Sequence, residues 1–296
     1  MAGMIVFVFS KAWPSFSENG LSWFGDTGNV NQQLDTIQQP GTAEPVYTFG
    51  AFDLIWGTVL TTGGAVLFGI VFSTLAAVFL VEFAPESIRR VLTPTVSLLA
   101  AVPSVIYGLI GILVLAPFIG KMISQERKES VGGIVSLTGE NWLLATFVLA
   151  IMIIPIMTAI IAQALRQVPR GWTEGAAALG VNRWRVMWTV SIRTARPAII
   201  AGAVLATGRA LGEAIMLAMV SGGSAFAPNP VDGLTFFLEP TRPLAATIVF
   251  YREGLANPAT AATLYSIAAV LLVSAMALSI GAYVAKQPMK KYGIRT

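Results

Sequence analysis

Long apolar runs alternate with polar connectors along the chain, and this alternation sets the first reading. Leu54 to Val81 holds no charged residue over 28 positions, where about 20 apolar residues suffice to cross a bilayer. Val91 to Gly120, Asn141 to Leu165 and Leu255 to Ala285 repeat the pattern. A further run starts after Pro197 and reaches about Ser221. Met1 to Phe9 is apolar but short. It reads as the tail of a truncated first spanning helix, with a segment lying on the membrane surface as the alternative. Lys11 to Asp53 is polar and rich in Gly, Pro, Asn and Gln, which reads as a loop outside the membrane. The pattern predicts an all-α membrane protein, a polytopic bundle of about six transmembrane helices with the first one truncated.

The fifth run differs from the others, because Arg209 and Glu213 lie near its middle. A charge at that depth costs about 2.5–3.5 kcal/mol on insertion scales and faces a bundle interior or a water-filled path. Four residues apart on one helix, the two side chains share a face and can pair. Arg before Glu is the weaker orientation for such a pair, so stabilising an isolated helix does not account for it. One reading has Arg209 on a transport path with Glu213 holding it. The other has a permanent ion pair bracing the bundle.

Composition agrees with a membrane chain. Of 296 residues 55% are apolar and 11% charged, against about 25% charged in soluble domains. There is no Cys and no His. Disulfides, thiol nucleophiles and His-based metal sites are excluded, and so is the usual acid–base residue near neutral pH. No catalytic residue and no metal site is expected. The only Gly-Lys pair, Gly120-Lys121, is followed by Met122, so the chain carries no phosphate-binding P-loop.

Charge fixes orientation. Arg89-Arg90, the 166–196 segment and the tail hold twelve basic residues, while the alternate loops hold six. Eleven acids lie on the side of those alternate loops, against Glu82, Glu86 and Glu174 on the basic side. The positive-inside rule places the basic loops and the C-terminus in the cytoplasm. The small basic excess thus reads as topology, and no nucleic-acid partner is expected. The expected divisions are 1–53 for the partial helix and external loop, 54–285 for the transmembrane core with its cytoplasmic loop 166–196, and 286–296 for the tail.

Internal prolines mark kinks. Pro103 and Pro155 interrupt their runs and free backbone carbonyls that neighbours or a cavity must satisfy. Gly208 and Gly212 form a small-xxx-small pair that permits close helix approach. Glu174 to Gly180 reads as a short helix stopped by glycine, and Asn182 to Ile192 as a second, amphipathic segment with Trp184 and Trp188. Such an apolar helix–Gly–helix on the cytoplasmic side calls for a partner protein. Packing on its own helices or on the lipid surface is the alternative.

Glu174, Ala176 and Gly180 match the spacing of the EAA coupling motif in permease subunits of bacterial ABC importers, with Ala177 inside it. Gly175 and Ile192-Arg193 depart from that motif. Gly208-Arg-Ala-Leu-Gly-Glu213 resembles the fifth-helix signature of phosphate importers, with Ala214 departing from the common Thr. Trp13-Pro-Ser, Val81-Glu-Phe-Ala-Pro85, Ala100-Ala-Val-Pro-Ser-Val-Ile-Tyr-Gly108 and Ala150-Ile-Met-Ile-Ile-Pro155 are similar to the PstC-type subunit.

The resemblance implies a type I ABC importer permease fold in a bacterial plasma (inner) membrane. It implies a non-catalytic subunit with no cofactor of its own, ATP and Mg being bound by a partner ATPase. The partners implied are a second permease subunit of PstA type, a homodimeric ATPase of PstB type, a phosphate-binding protein of PstS type and the lipid bilayer. Under it, Glu174, Ala176, Ala177 and Gly180 dock on the ATPase, and Arg209 meets the anion. A permease for sulfate or molybdate, and an ATPase-independent channel or carrier, are the alternatives.

Overall fold

The computed structural model describes residues 2–25, 30–38, 47–125, 128, 137–224 and 227–290. Among them the regular structure is helical, with a single isolated bridge between Gly222 and Thr241. Four helices are long and apolar enough to cross a membrane: Phe52–Phe83, Ser104–Met122, Trp142–Arg166 and Pro258–Val284. The last belongs to a helix that runs on to Lys290. The tail residues Lys291 and Arg295 lie outside the described residues.

Three of the expected spans match these helices closely, and two expected runs are divided. The run at 91–120 separates into Glu86–Ala101 and a helix from Ser104, with Val102 and Pro103 in extended conformation between them. Proline disfavours the helical region for the residue before it, so the break falls at Val102. Pro155, by contrast, lies inside the uninterrupted Trp142–Arg166 helix. The run at 197–221 separates into Ile192–Leu211 and Ile215–Val220.

The chain forms two compact units. The first comprises 1–63, 103–149 and 211–275. Here the segment expected as a polar loop is largely helical. Ala2–Asn19 is one helix running past Lys11, and Val30–Gln38 is another. Trp23, Leu34, Ile37 and Phe49 are buried in a core with Leu54, Leu244, Leu264 and Ile267. The indole N–H of Trp23 donates to Ser266 Oγ at 3.1 Å. Leu34 and Ile37 stand singly among polar residues, so their burial emerges only from tertiary packing.

The first unit also buries charge. Glu239 and Arg242 are both buried in the segment between the Ile215–Val220 and Leu244–Phe250 helices. The Asn229 N–H donates to Glu239 Oε2 at 3.1 Å. Arg242 donates to the Gly223 carbonyl and lies over the Phe250 ring at 4.8 Å. It also donates to Tyr251 Oη at 3.5 Å, and Tyr251 donates to Asp35 at 3.3 Å. Burial raises the Tyr251 phenol above its ordinary range, against the lowering effect of Arg242.

Glycines set the close approaches in this unit. A Cβ on Gly108 would stand 2.9 Å from Met219 Sδ, and one on Gly111 2.6 Å from Val220 Cγ1. The Ser104–Met122 helix therefore meets Ile215–Val220 along a glycine-lined seam. At Gly139 a Cβ would fall 1.7 Å from the Ala116 carbonyl oxygen, so only glycine fits.

The second unit comprises 64–102, 150–210 and 276–296. Ile192–Leu211 buries Ala195, Ala198, Ala201, Gly202, Ala206 and Ala210. This small-residue stripe recurs every three or four positions. A Cβ on Gly202 would stand 3.1 Å from Ile160 on the Trp142–Arg166 helix. The two helices thus pack with short separation, the arrangement that small residues allow in a bilayer.

Candidate functional site

The 166–196 segment lies within the second unit and folds as a helix–turn–helix. Pro169 precedes the Arg170–Ala178 helix, where its fixed φ and missing N–H are harmless. The helix then closes through a Schellman arrangement. Gly180 sits at φ +78°, its N–H donates to the Ala177 carbonyl at 2.9 Å, and the Val181 N–H donates to the Ala176 carbonyl at 3.3 Å. A non-glycine residue held there would cost about 1–2 kcal/mol.

Asn182 starts the next helix, its Oδ1 accepting from the Arg185 N–H at 2.9 Å. From Arg183 the backbone stays helical to Leu211, through Arg183–Val186, a π-helical turn at Met187–Ser191 and Ile192–Leu211. Single π-turns of this kind often occur at functional positions in helices. The path is continuous from the turn at Gly180 to Arg209. At 1.5 Å per residue it spans roughly 40 Å.

The turn is apolar and exposed. Leu179 is 85% exposed, and Trp172, Trp184 and Trp188 are all about half exposed. Glu174 and Ala177 are exposed, and Ala176 is half-buried. Trp184 stacks at 4.7 Å on Phe83, and the Arg183 guanidinium lies 5.0 Å over the same Phe83 ring. The end of the Phe52–Phe83 helix is thereby fastened to the turn. Arg89 caps that end from its other side, donating to the carbonyls of Leu80, Val81 and Ala84 at 3.0–3.2 Å. A cation at a helix C-terminus is favourable by about 0.3–1 kcal/mol.

A cavity of about 590 Å³ opens beneath the Arg170–Ala178 helix, lined by Glu82, Arg89, Arg166, Arg170, Thr173 and Glu174 among others. Sequence reading had singled out Glu174 alone of these. The rest sit on four helices, Arg170 and Thr173 on the same one as Glu174, and only folding brings those helices together.

Arg209 occupies the last turn of Ile192–Leu211 and is exposed. The helix ends at Leu211, and Gly212, Glu213 and Ala214 lie between it and the Ile215–Val220 helix. The uninterrupted helix that the four-residue spacing of Arg209 and Glu213 assumed is therefore absent. Gly212 falls in this break, which a glycine accommodates at little steric cost. Ion pairs among the described residues include Arg89–Glu86, Arg90–Glu86 and Arg252–Glu253. Around Gly208 there is open space where a Cβ would sit. No group of His, Cys, Asp and Glu suited to a metal ion occurs among the described residues.

Residues 69–286 match the family described as binding-protein-dependent transport system inner membrane component. The chain is 33% identical over 228 residues to the probable ABC transporter permease protein YqgH of Bacillus subtilis, covering 77% of this chain and 68% of that protein. It is 32% identical over 280 residues to phosphate transport system permease protein PstC 1 of Mycobacterium tuberculosis, covering 89% and 81% respectively. With PstC of Xylella fastidiosa strain 9a5c it shares 37% identity over 184 residues, 60% of this chain and 57% of that one. Among solved structures, a chain of the inward-facing MetNI methionine ABC transporter superposes with a TM-score of 0.57 at 17% identity, covering 79% of this chain and 93% of that chain. The expected all-helical ABC-importer permease fold therefore holds, and the chain belongs to the family of binding-protein-dependent transport system inner membrane components.

Proposed function

We propose that the chain is the permease subunit of an ATP-driven phosphate importer, forming half of the translocation path. The observation that carries this reading is its 32% identity to a PstC phosphate permease across 89% of the chain. The exposed apolar turn at Leu179–Gly180 supports it, because such a surface needs a protein partner on the membrane face where it lies. In this reading the turn docks on an ATPase subunit through Glu174, Ala176, Ala177 and Gly180. The helical path to Leu211 carries that subunit's movement into the membrane. Closure on the ATPase side then reaches Arg209 without an intervening loop.

Arg209 meets the anion in this scheme, since a guanidinium fork matches the oxygens of phosphate. In this reading Glu213 holds Arg209 in place and neutralises its charge when the path is empty. Gly208 presents open space for a second, PstA-type permease subunit. An external binding protein delivers phosphate to the outward segments, with the C-terminus and the turn in the cytoplasm. ATP and Mg are handled by the partner ATPase, and this chain contributes no catalytic group.

The test is labelled-phosphate uptake in cells lacking the chain, complemented with the natural sequence or with Arg209→Lys. The natural sequence restores uptake, and the Lys variant inserts normally but transports poorly. Uptake equal in both complemented strains would remove the anion role from Arg209. Uptake unaffected by losing the chain would remove the phosphate reading itself.

A further inference from the structure

A second cavity, of about 370 Å³, lies in the same unit between the Glu86–Ala101 and Trp142–Arg166 helices. On one helix it is lined at 158, 159, 162, 163 and 166, and on the other at 93, 96 and 97. Both sets follow the three- and four-residue spacing of a single helix face. Thr93 and Ser97 thus share a cavity with Thr158, Gln163 and Arg166. Among the described residues no carboxylate lines it, and Arg166 carries the formal charge.

Two of its hydroxyls are left without partners. Thr158 is 1% exposed, and its Oγ1 and that of Thr93 are buried with no hydrogen-bond partner. A threonine in a helix can bond back to a carbonyl one turn earlier, as Thr207 does to Ala203 at 2.8 Å. Leaving a buried hydroxyl unsatisfied costs about 1–3 kcal/mol. Two threonines with unpartnered hydroxyls and one arginine thus line the same cavity.

We infer that this cavity is an inner binding station for a tetrahedral, protonated oxyanion such as hydrogen phosphate. The inference rests on the phosphate-import reading and adds a site to it. Arg166 supplies the charge, Thr93 and Thr158 supply hydroxyls that both donate and accept, and Ser97, whose hydroxyl donates to the Thr93 carbonyl at 3.2 Å, supplies an acceptor. Gln163 adds an amide of the same double character. Acceptor capacity is what a proton-bearing anion needs and a fully deprotonated one cannot use. The volume equals that of about a dozen waters at ~30 Å³ each, enough for the anion and part of its hydration shell.

Arg166 also lines the 590 Å³ cavity under the Arg170–Ala178 helix, where Arg89 and Arg170 stand. The anion would pass from the hydroxyl-lined station along Arg166 toward the face that docks the ATPase. Release would then depend on the position of that helix.

The chain has no cysteine, so Ser97→Cys gives it a single thiol inside the cavity. The assembled transporter, with its partner subunits in lipid nanodiscs, is treated with a small methanethiosulfonate reagent. Modification of this chain is then followed by mass. Inorganic phosphate at ten times its dissociation constant should slow modification about tenfold, as occupancy requires. Chloride at matched ionic strength should not, and adding Thr158→Val should weaken the protection several-fold. A rate unchanged by phosphate, or slowed equally by chloride, overturns the site, and equal slowing by sulfate overturns its assignment to a protonated anion. If the double variant fails to insert, the single variant still decides. The readout is occupancy and not uptake, so an unprotected thiol in a phosphate-transporting complex removes this station and leaves the importer reading standing.

Discussion

Asn182 and Arg209 stand near opposite ends of one helical path. Asn182 caps its first turn through the Arg185 N–H at 2.9 Å, and Arg209 lies in its last turn before Leu211. The path joins the exposed turn at Gly180 to a charge expected inside the membrane, with no flexible connector between them. A helix is stiff along its axis. Displacement at its capped end therefore arrives at the other end nearly undiminished, unless the π-turn at Met187–Ser191 absorbs it.

Gly180 is the first place to interrupt this transmission. Its φ of +78° is open to glycine and tolerated by asparagine. Gly180→Val should strain the turn by about 1–2 kcal/mol and uncouple ATP hydrolysis from phosphate uptake in the reconstituted complex. Gly180→Asn should keep most of the coupling. ATPase rate and uptake measured on the same liposomes separate the two variants.

Arg209→Lys keeps the charge and discards the fork. Uptake should fall about tenfold at normal membrane insertion, corresponding to ~1.4 kcal/mol of lost contact with the anion. Labelled-phosphate uptake, normalised to the amount of protein in the membrane, is the check.

Gly139 and Gly208 make a contrasting pair. Gly139→Ala would place a methyl 1.7 Å from the Ala116 carbonyl oxygen and must push backbone aside. A loss of about 1–3 kcal/mol is expected, seen as a lower thermal midpoint of the purified chain in detergent. Gly208→Ala meets open space in this chain and should leave that midpoint unchanged. Reduced co-purification of a second permease subunit with the Gly208 variant would then report an interface at that position.

Arg242→Gln removes the buried cation that donates to the Gly223 carbonyl and stacks on Phe250. A stranded buried carbonyl costs about 1–3 kcal/mol. The 222–257 segment should become markedly more sensitive to limited proteolysis, while the spanning helices stay protected.

Much of this architecture was legible in the sequence, and the exceptions have physical reasons. Charge-free length alone located the helices around Leu54–Val81, Asn141–Leu165 and Leu255–Ala285, because an uncharged stretch of that size has little other use. The turn at Gly180 was legible because a run of alanines ended by glycine states its own stop signal. Length does not report continuity, however. The break at Val102–Pro103 is signalled only by Pro103, and Pro155, which gives the same signal, lies in an unbroken helix. The break at Gly212–Ala214 falls on Glu213, whose spacing from Arg209 suits a continuous helix equally well. Trp23, Phe49 and Arg242 went unread because none belongs to a long apolar run and each is buried by segments distant in sequence. Thr93 and Thr158 look like ordinary helix threonines until the cavity between them is seen.

The central claim is that this chain carries phosphate inward under the control of an ATPase docked at the Glu174–Gly180 turn. The most direct measurement is phosphate uptake into liposomes holding the full complex, with ATP supplied on the ATPase side, comparing the natural chain with Gly180→Val. The account predicts ATP-dependent uptake with the natural chain, and continued hydrolysis with little uptake in the variant. Uptake that proceeds without ATP, or that is unchanged by Gly180→Val, would contradict it.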